Sequence, residues 1–114
     1  MTVAFARLDG LPERQMMPGV YLRILAGDAL MFSIVRFDPH ATVPTHQHPH
    51  EQIGFVLEGE LDLWIGGERR TLGRGDLYTI PSGVPHGAET RAGTCTVVDV
   101  FHPLRDEYVK LFQG

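Results

Sequence analysis

Short apolar stretches alternate with turn residues along the whole chain. Residues 20–26 (VYLRILA) form the first run, and Gly27-Asp28 interrupts it before Leu30–Asp38 (LMFSIVRFD). A segment over 43–57 carries several histidines and then the apolar run Ile53–Leu57, after which Glu58-Gly59 reads as a turn into Glu60–Ile65 (ELDLWI). There, acidic and apolar side chains alternate with period two, as in a strand with one buried face. Gly66-Gly67 is a hairpin signal, Glu68–Leu72 pairs back, and Gly73-Arg74-Gly75-Asp76 turns again. Leu77–Ile80, Val84–Ala88 and Thr94–His102 complete the series. Helical spacing is confined to the end, where Pro103 suits a first helical turn and Leu104, Val109, Leu111 and Phe112 are loosely amphipathic. Many short strands separated by turn signals predict an all-β sandwich or barrel. The expected organisation is one domain over residues 1–114, with an N-terminal arm to about 18, a barrel over about 19–102 and a short helix over about 103–113.

Parity within the strands sorts the side chains. Leu61, Leu63 and Ile65 alternate with Glu60, Asp62 and Trp64, so one set is core. Cys95, Val97, Asp99 and Phe101 share a face of the last strand. A lone aspartate there either faces solvent, with Val98 and Val100 inward, or is buried because it is paired or functional. Ile53, Phe55 and Leu57 form an apolar outer face that predicts a homodimer interface, with Trp64 a candidate member. Met16 and Met17 read as packing residues.

Composition narrows the function. Hydrophobic residues make up 43% of the chain and charged residues 21%, as in a globular domain. Fourteen acidic residues against ten basic ones give a net charge of −4 without a basic patch, which argues against nucleic acid as a partner. No apolar run approaches the roughly 18 residues of a membrane span, and the N-terminal MTVAFARLDG lacks the layout of a signal peptide. The single cysteine, Cys95, has no partner within the chain, in keeping with a cytoplasmic location.

The histidines change the picture most. Of six, His40, His46, His48 and His50 fall within eleven residues. On a strand, His46 and His48 share a face, and Gln52 has the same parity. Two imidazoles about 6–7 Å apart along a strand converge on one ion if further ligands close the site.

Two segments identify the pattern. His46-Gln-His48-Pro-His50-Glu-Gln52 is followed after six residues by Gly59, and the later segment runs Gly75-Asp-Leu-Tyr-Thr-Ile-Pro81-Ser-Gly83-Val-Pro85-His86. They resemble the two signature motifs of the cupin family: H-x-H, three or four residues, Glu, six residues, Gly; then Gly, five residues, P-x-G, two residues, His. The resemblance implies a jelly-roll barrel holding one divalent transition metal ion on His46, His48, Gln52 and His86. The chain departs from the family at three places: the usual Glu is Gln52, the Gly six residues before H-x-H is His40, and the Asn four after the last ligand is Thr90. Gln52 would bind through its amide oxygen, and a bulge at Pro49 would bring in Glu51 or His50 instead. Three imidazoles and an amide leave the ion its full charge, which favours Lewis-acid chemistry and capture of an anion. Zinc, nickel, manganese and iron are not distinguished.

A second resemblance concerns substrate. H-P-H-E-Q, V-L-E-G-E-L and the terminal D-V-F-x-P-x-R-x-E-Y are similar to a subgroup of small cupins from pectin and alginate breakdown, which linearise 4,5-unsaturated uronic acids. The resemblance implies that Asp99, Phe101 and Arg105 line the pocket beside the metal, and that a glutamine at position 52 is the expected residue. Arg105 is suited to a bidentate carboxylate contact, Asp99 to a base that stays ionised beside the cation, and Phe101 to an apolar face for a sugar ring. Two alternatives remain at this point: a metal-dependent oxygenase, and a non-catalytic binder of small anions.

Overall fold

The computed structural model describes residues 4–113. After a 3-10 turn over Leu8–Gly10 come nine strands: β1 (Arg14–Met17), β2 (Val20–Ala26), β3 (Met31–Phe37), β4 (Thr42–His46), β5 (Glu51–Ile65), β6 (Glu68–Gly73), β7 (Leu77–Ile80), β8 (His86–Glu89) and β9 (Cys95–His102). A short helix, α1 (Asp106–Lys110), ends the fold. All pairings are antiparallel, in the order β1-β2-β3-β9-β5-β8-β4, with β6 and β7 also paired to β5. The expected all-β barrel with a short terminal helix is what forms.

Strand β5 organises the molecule. Its first half pairs with β7 and β9, and its second half with β6 and β8, so it belongs to two sheets that curl toward each other. Glu58-Gly59, expected as a turn, is instead the crossing point within one continuous strand. The register with β9 shifts between Val56 and Glu58, and Gly59 takes φ +83°, where a Cβ would collide with Thr94 backbone. Such a bulge moves the inward set from one parity to the other. Gln52, Gly54 and Val56 face inward before it, and Leu61 and Leu63 after it.

Two expectations change where β5 passes from the first sheet into the second. Trp64 does not share a surface with Ile53, Phe55 and Leu57. It lies on the outer side of the second sheet, packed over Gly87, with its Nε1 donating to Thr45 Oγ1 at 2.8 Å. Asp62 is buried although it lies on the parity opposite Leu61 and Leu63. It accepts from Thr71 Oγ1 at 2.6 Å and from Arg91 Nε at 2.9 Å. The remaining differences are at the ends. The arm expected up to about residue 18 contains β1, while its first three residues lie outside the described residues. The helix is limited to Asp106–Lys110, with Arg105 at its N-cap.

The core lies between the two sheets and includes Val20, Leu22, Met31, Phe37, Val56, Leu61, Val97 and Phe101. Burial of aliphatic side chains at about 25 cal/mol per Å² is what holds the curled sheet together. Polar side chains gather where His48, Gln52, His86, Asp99 and Arg105 are buried against this core.

Candidate metal centre

Four different parts of the chain supply the donors. His46 is the last residue of β4 and pairs with His86, the first of β8. Strand β4 ends there, so His48 sits in the loop before β5 and not on a shared strand face with His46. A hydrogen bond across the two motifs fixes that loop. Gly83, in the left-handed region at φ +78°, donates its N–H to the His48 carbonyl at 2.9 Å. Pro81-Ser-Gly83 therefore holds the first histidine pair in place while it leads into His86. Gln52 points inward from the start of β5.

Each imidazole is oriented by its own backbone. His46 Nδ1 lies 2.9 Å from Pro44 O, His48 Nδ1 3.0 Å from His50 O, and His86 Nδ1 2.8 Å from Val84 O. A carbonyl oxygen only accepts, so each Nδ1 carries the proton and each Nε2 presents its lone pair. The ligand atoms of the three rings lie within 4.8 Å of one another. Burial first, and then the positive charge of Arg105 and the neighbouring imidazoles, pushes the His48 pKa down to about 4. Burial likewise lowers His86. Both are therefore neutral near pH 7, as ligation requires.

The donor set fits a cation. His48 Nε2 faces Gln52 Oε1 at 3.2 Å. With the His48 proton committed to Nδ1, these are two acceptors turned toward each other, an arrangement that costs free energy unless something positive lies between them. About 3–3.4 Å is also the separation of neighbouring ligands around an ion with bonds of about 2.1 Å. The sequence alternatives for the fourth ligand lie elsewhere. Glu51 is exposed, and His50 turns its Nε2 to Leu104 O at 3.2 Å, tying the loop to the C-terminal segment.

The C-terminal residues line the same cavity. Asp99, Arg105 and Phe101 border it together with His46, Gln52 and His86. Asp99 is buried, facing inward, and accepts from Tyr78 Oη at 2.6 Å. Desolvation raises its pKa to about 6, opposed by hydrogen bonds from Tyr78 and the Gln52 amide and by the charge of Arg105. The Gln52 side chain thus has two distinct ends, with its oxygen toward His48 and its amide hydrogens toward Asp99. A glutamate there would set a second carboxylate against the first.

Arg105 is no solvated helix residue. Its guanidinium lies over the rings of Tyr108, at 4.0 Å, and Phe101, at 5.1 Å. Nε donates to Glu107 Oε1 at 2.9 Å and Nη1 to Tyr108 Oη at 2.9 Å. The remaining Nη2 has no protein partner among the described residues. Phe101, expected as a sugar platform, is almost fully buried and packs edge-on against His48 and Tyr108. Sequence reasoning missed Tyr78, Tyr108 and Glu107 as parts of the site, and Met16 of β1 also borders the cavity. The run Arg105-x-Glu107-Tyr108 carried a signal, because a guanidinium beside an acid and a phenol two and three residues on can be held by both.

Comparison with known proteins agrees with the fold. Residues 33–101 match the cupin domain family. The pectin degradation protein KdgF of Dickeya dadantii is 30% identical over 103 residues, 89% of this chain and 94% of that protein. The structure of KdgF from Halomonas sp. superposes with a TM-score of 0.86 at 34% identity, covering 94% of this chain and 99% of the other. An RmlC-like cupin from Shewanella frigidimarina gives a TM-score of 0.88 at 27% identity over 94% and 96% of the two chains.

Proposed function

The chain belongs to the cupin family, and we propose that within it this protein is a metal-dependent, non-redox catalyst that opens 4,5-unsaturated uronates or closely similar carboxylated sugars to their linear keto forms. The observation that carries this reading is the meeting of a three-imidazole, one-amide donor set with a buried carboxylate and a half-committed guanidinium in one cavity. The similarity to KdgF over nearly the whole chain supports the substrate class.

The reaction is an isomerisation. The anomeric hydroxyl loses a proton as the ring C–O bond breaks, and the enol so released gains a proton at C4 to become a ketone at C5. No electrons are exchanged, so the protein must bind a carboxylate, polarise an oxygen and carry one proton. His46, His48, Gln52 and His86 would hold a divalent ion, which when bound would supply that polarisation as a Lewis acid. Arg105 holds the substrate carboxylate through Nη2, its other nitrogens being fixed by Glu107 and Tyr108. Asp99 takes the proton and returns it. A carboxyl raised to about 6 by burial is closer to the working pH than an exposed aspartate, which favours transfer in both directions. Phe101 packs beneath Arg105 and against His48 and so holds both in place.

The test follows the loss of the conjugated C4=C5 absorbance when unsaturated galacturonate is supplied, with the spontaneous opening subtracted. A rate above the buffer control without oxygen uptake supports the proposal. Oxygen uptake with an iron-loaded protein would replace it with an oxygenase, and a rate equal to buffer would leave a binder of small anions.

A further inference from the structure

Tyr78, Gly54 and Asp99 form one rung across β7, β5 and β9, Gly54 pairing with Tyr78 on one side and Asp99 on the other. Residues two strands apart are about 10 Å apart at their backbones. Their side chains ordinarily meet the side chain of the residue between them. Here the Tyr78 hydroxyl passes over Gly54 and donates to Asp99 Oδ1 at 2.6 Å. A Cβ on residue 54 would lie 2.7 Å from that hydroxyl and closer still to the carboxylate. Gly54 is not among the positive-φ glycines, which are Gly19, Gly59, Gly66, Gly75 and Gly83. The backbone does not call for glycine at this position. The space above it does.

We propose that Tyr78 is a positioning residue for Asp99, and that Gly54 is the opening through which its hydroxyl reaches the carboxylate. A carboxyl group rotates in a broad, roughly two-fold well, so its orientation is selected by its donors. On the other side of β9, Ser33 stands opposite Asp99 with a buried hydroxyl that has no partner among the described residues. The restraint therefore comes from the β5–β7 side. With Oδ1 held by Tyr78, the other oxygen is the one left for the Gln52 amide and the cavity shared with His46, His86 and Arg105. The loss of that restraint slows proton transfer without weakening substrate binding. This inference rests on Asp99 as the proton carrier.

Two measurements test it. The first is urea unfolding of the metal-free wild type, Tyr78→Phe, Asp99→Asn and the double variant. A double variant that loses less than the sum of the singles supports the pair, and additive losses overturn it whatever the substrate is. The second is turnover of unsaturated galacturonate by the metal-loaded proteins at equal metal content. Tyr78→Phe should lower kcat at least tenfold with KM within twofold, and should lower it no further in the Asp99→Asn background. Equal losses in both backgrounds would make Tyr78 merely structural and overturn the positioning role. Should Tyr78→Phe not fold, Gly54→Ala displaces the pair with the hydroxyl intact and is held to the same kcat-only loss and the same dependence on Asp99. A wild type that does not act on the uronate overturns the positioning role through failure of the reaction, and the unfolding cycle separates that from failure of the pair. If Asp99→Asn retains full turnover while unfolding is coupled, the pair stands and the role assigned to Asp99 falls.

Discussion

His48 Nε2 and Gln52 Oε1 face each other at 3.2 Å with no hydrogen between them. His48 has its one ring proton engaged with the His50 carbonyl, and an amide oxygen has no hydrogen to give. Two groups so committed cannot relieve each other, and a shared cation is the partner that satisfies both. About one transition ion per chain is expected in elemental analysis after reconstitution. His48→Ala removes one ligand of four and is expected to lower metal content severalfold and the melting temperature of the loaded protein by several degrees, since binding is coupled to folding. Equal metal in wild type and variant would place the ion elsewhere.

Acidification of the metal-free protein gives a second check. Burial holds His48 neutral in the folded chain, with a pKa near 4, against the ordinary 6.5 when unfolded. Between those values the unfolded chain binds more protons, so stability rises with pH across that window. The contribution is complete above pH 6.5 and is lost progressively as pH falls toward 4. Urea midpoints of the metal-free wild type are expected to fall over that range more steeply than those of His48→Gln. Parallel pH curves would show that His48 is not held neutral.

Asp99 and Arg105 have separable roles. Asp99→Asn keeps volume and removes the proton carrier, so kcat is expected to fall roughly 100- to 10,000-fold with metal content unchanged. Arg105→Ala removes the carboxylate anchor and is expected chiefly to raise KM. It also leaves the Tyr108 hydroxyl and Glu107 without their partner, so Arg105→Lys is the control that retains charge without the fork. An Asp99→Asn protein as fast as wild type would discard the proton-transfer role while leaving the uronate reading intact.

Much of this centre was legible because its residues announce themselves locally. His46, His48, Gln52 and His86 lie in two compact segments whose glycines and prolines occur at set spacings, and the structure brings all four together. The missed features are non-local. Tyr78 gains its meaning from Asp99, 21 residues later in the chain, and from a glycine on the strand between them. Gly59 was read as a turn because a glycine between two apolar runs looks the same whether the chain reverses or bulges. Trp64 was grouped with Ile53, Phe55 and Leu57 because a turn at Gly59 would fold it back beside them, whereas the continuous strand carries it to the outer side of the second sheet. Strand β1 was missed because Arg14-Gln-Met-Met17 shows no alternation.

His40 occupies a place where the cupin motif has glycine, and the structure gives the reason for that preference. Its φ is +56°, the left-handed region, and it is the one non-glycine residue there among those described. A side chain in this conformation costs about 1 kcal/mol, less the entropy that glycine would add to the unfolded chain. His40→Gly is expected to raise the melting temperature of the metal-free protein by about 1–4 °C and to leave metal content unchanged. A loss of stability would mean that the imidazole makes a compensating contact.

The outer face of the first sheet carries the last prediction. Register aligns Phe32, Val100, Ile53 and Thr79 in one row and Ile34, Val98, Phe55 and Leu77 in the next. Ile53 is 48% exposed and Leu77 79%, and Phe32, Phe55 and Leu57 are exposed beside them. Among the described residues, Ala6, Leu8 and Leu11 of the N-terminal segment border a cleft with Phe32, Ile34, Phe55, Leu57 and Val98, and Ile53 and Leu77 lie outside that cleft. A flat two-row apolar face is self-complementary under a two-fold axis, and stable dimers bury about 800 Å² per partner. Light scattering at micromolar concentration is expected to return twice the 12.7 kDa chain mass. Leu77→Glu and Ile53→Glu each place a charge in the middle of the buried face and should return the single-chain mass with the fold intact by circular dichroism. A monomeric wild type would leave this face solvent-exposed, and a dimer indifferent to both substitutions would join through another surface.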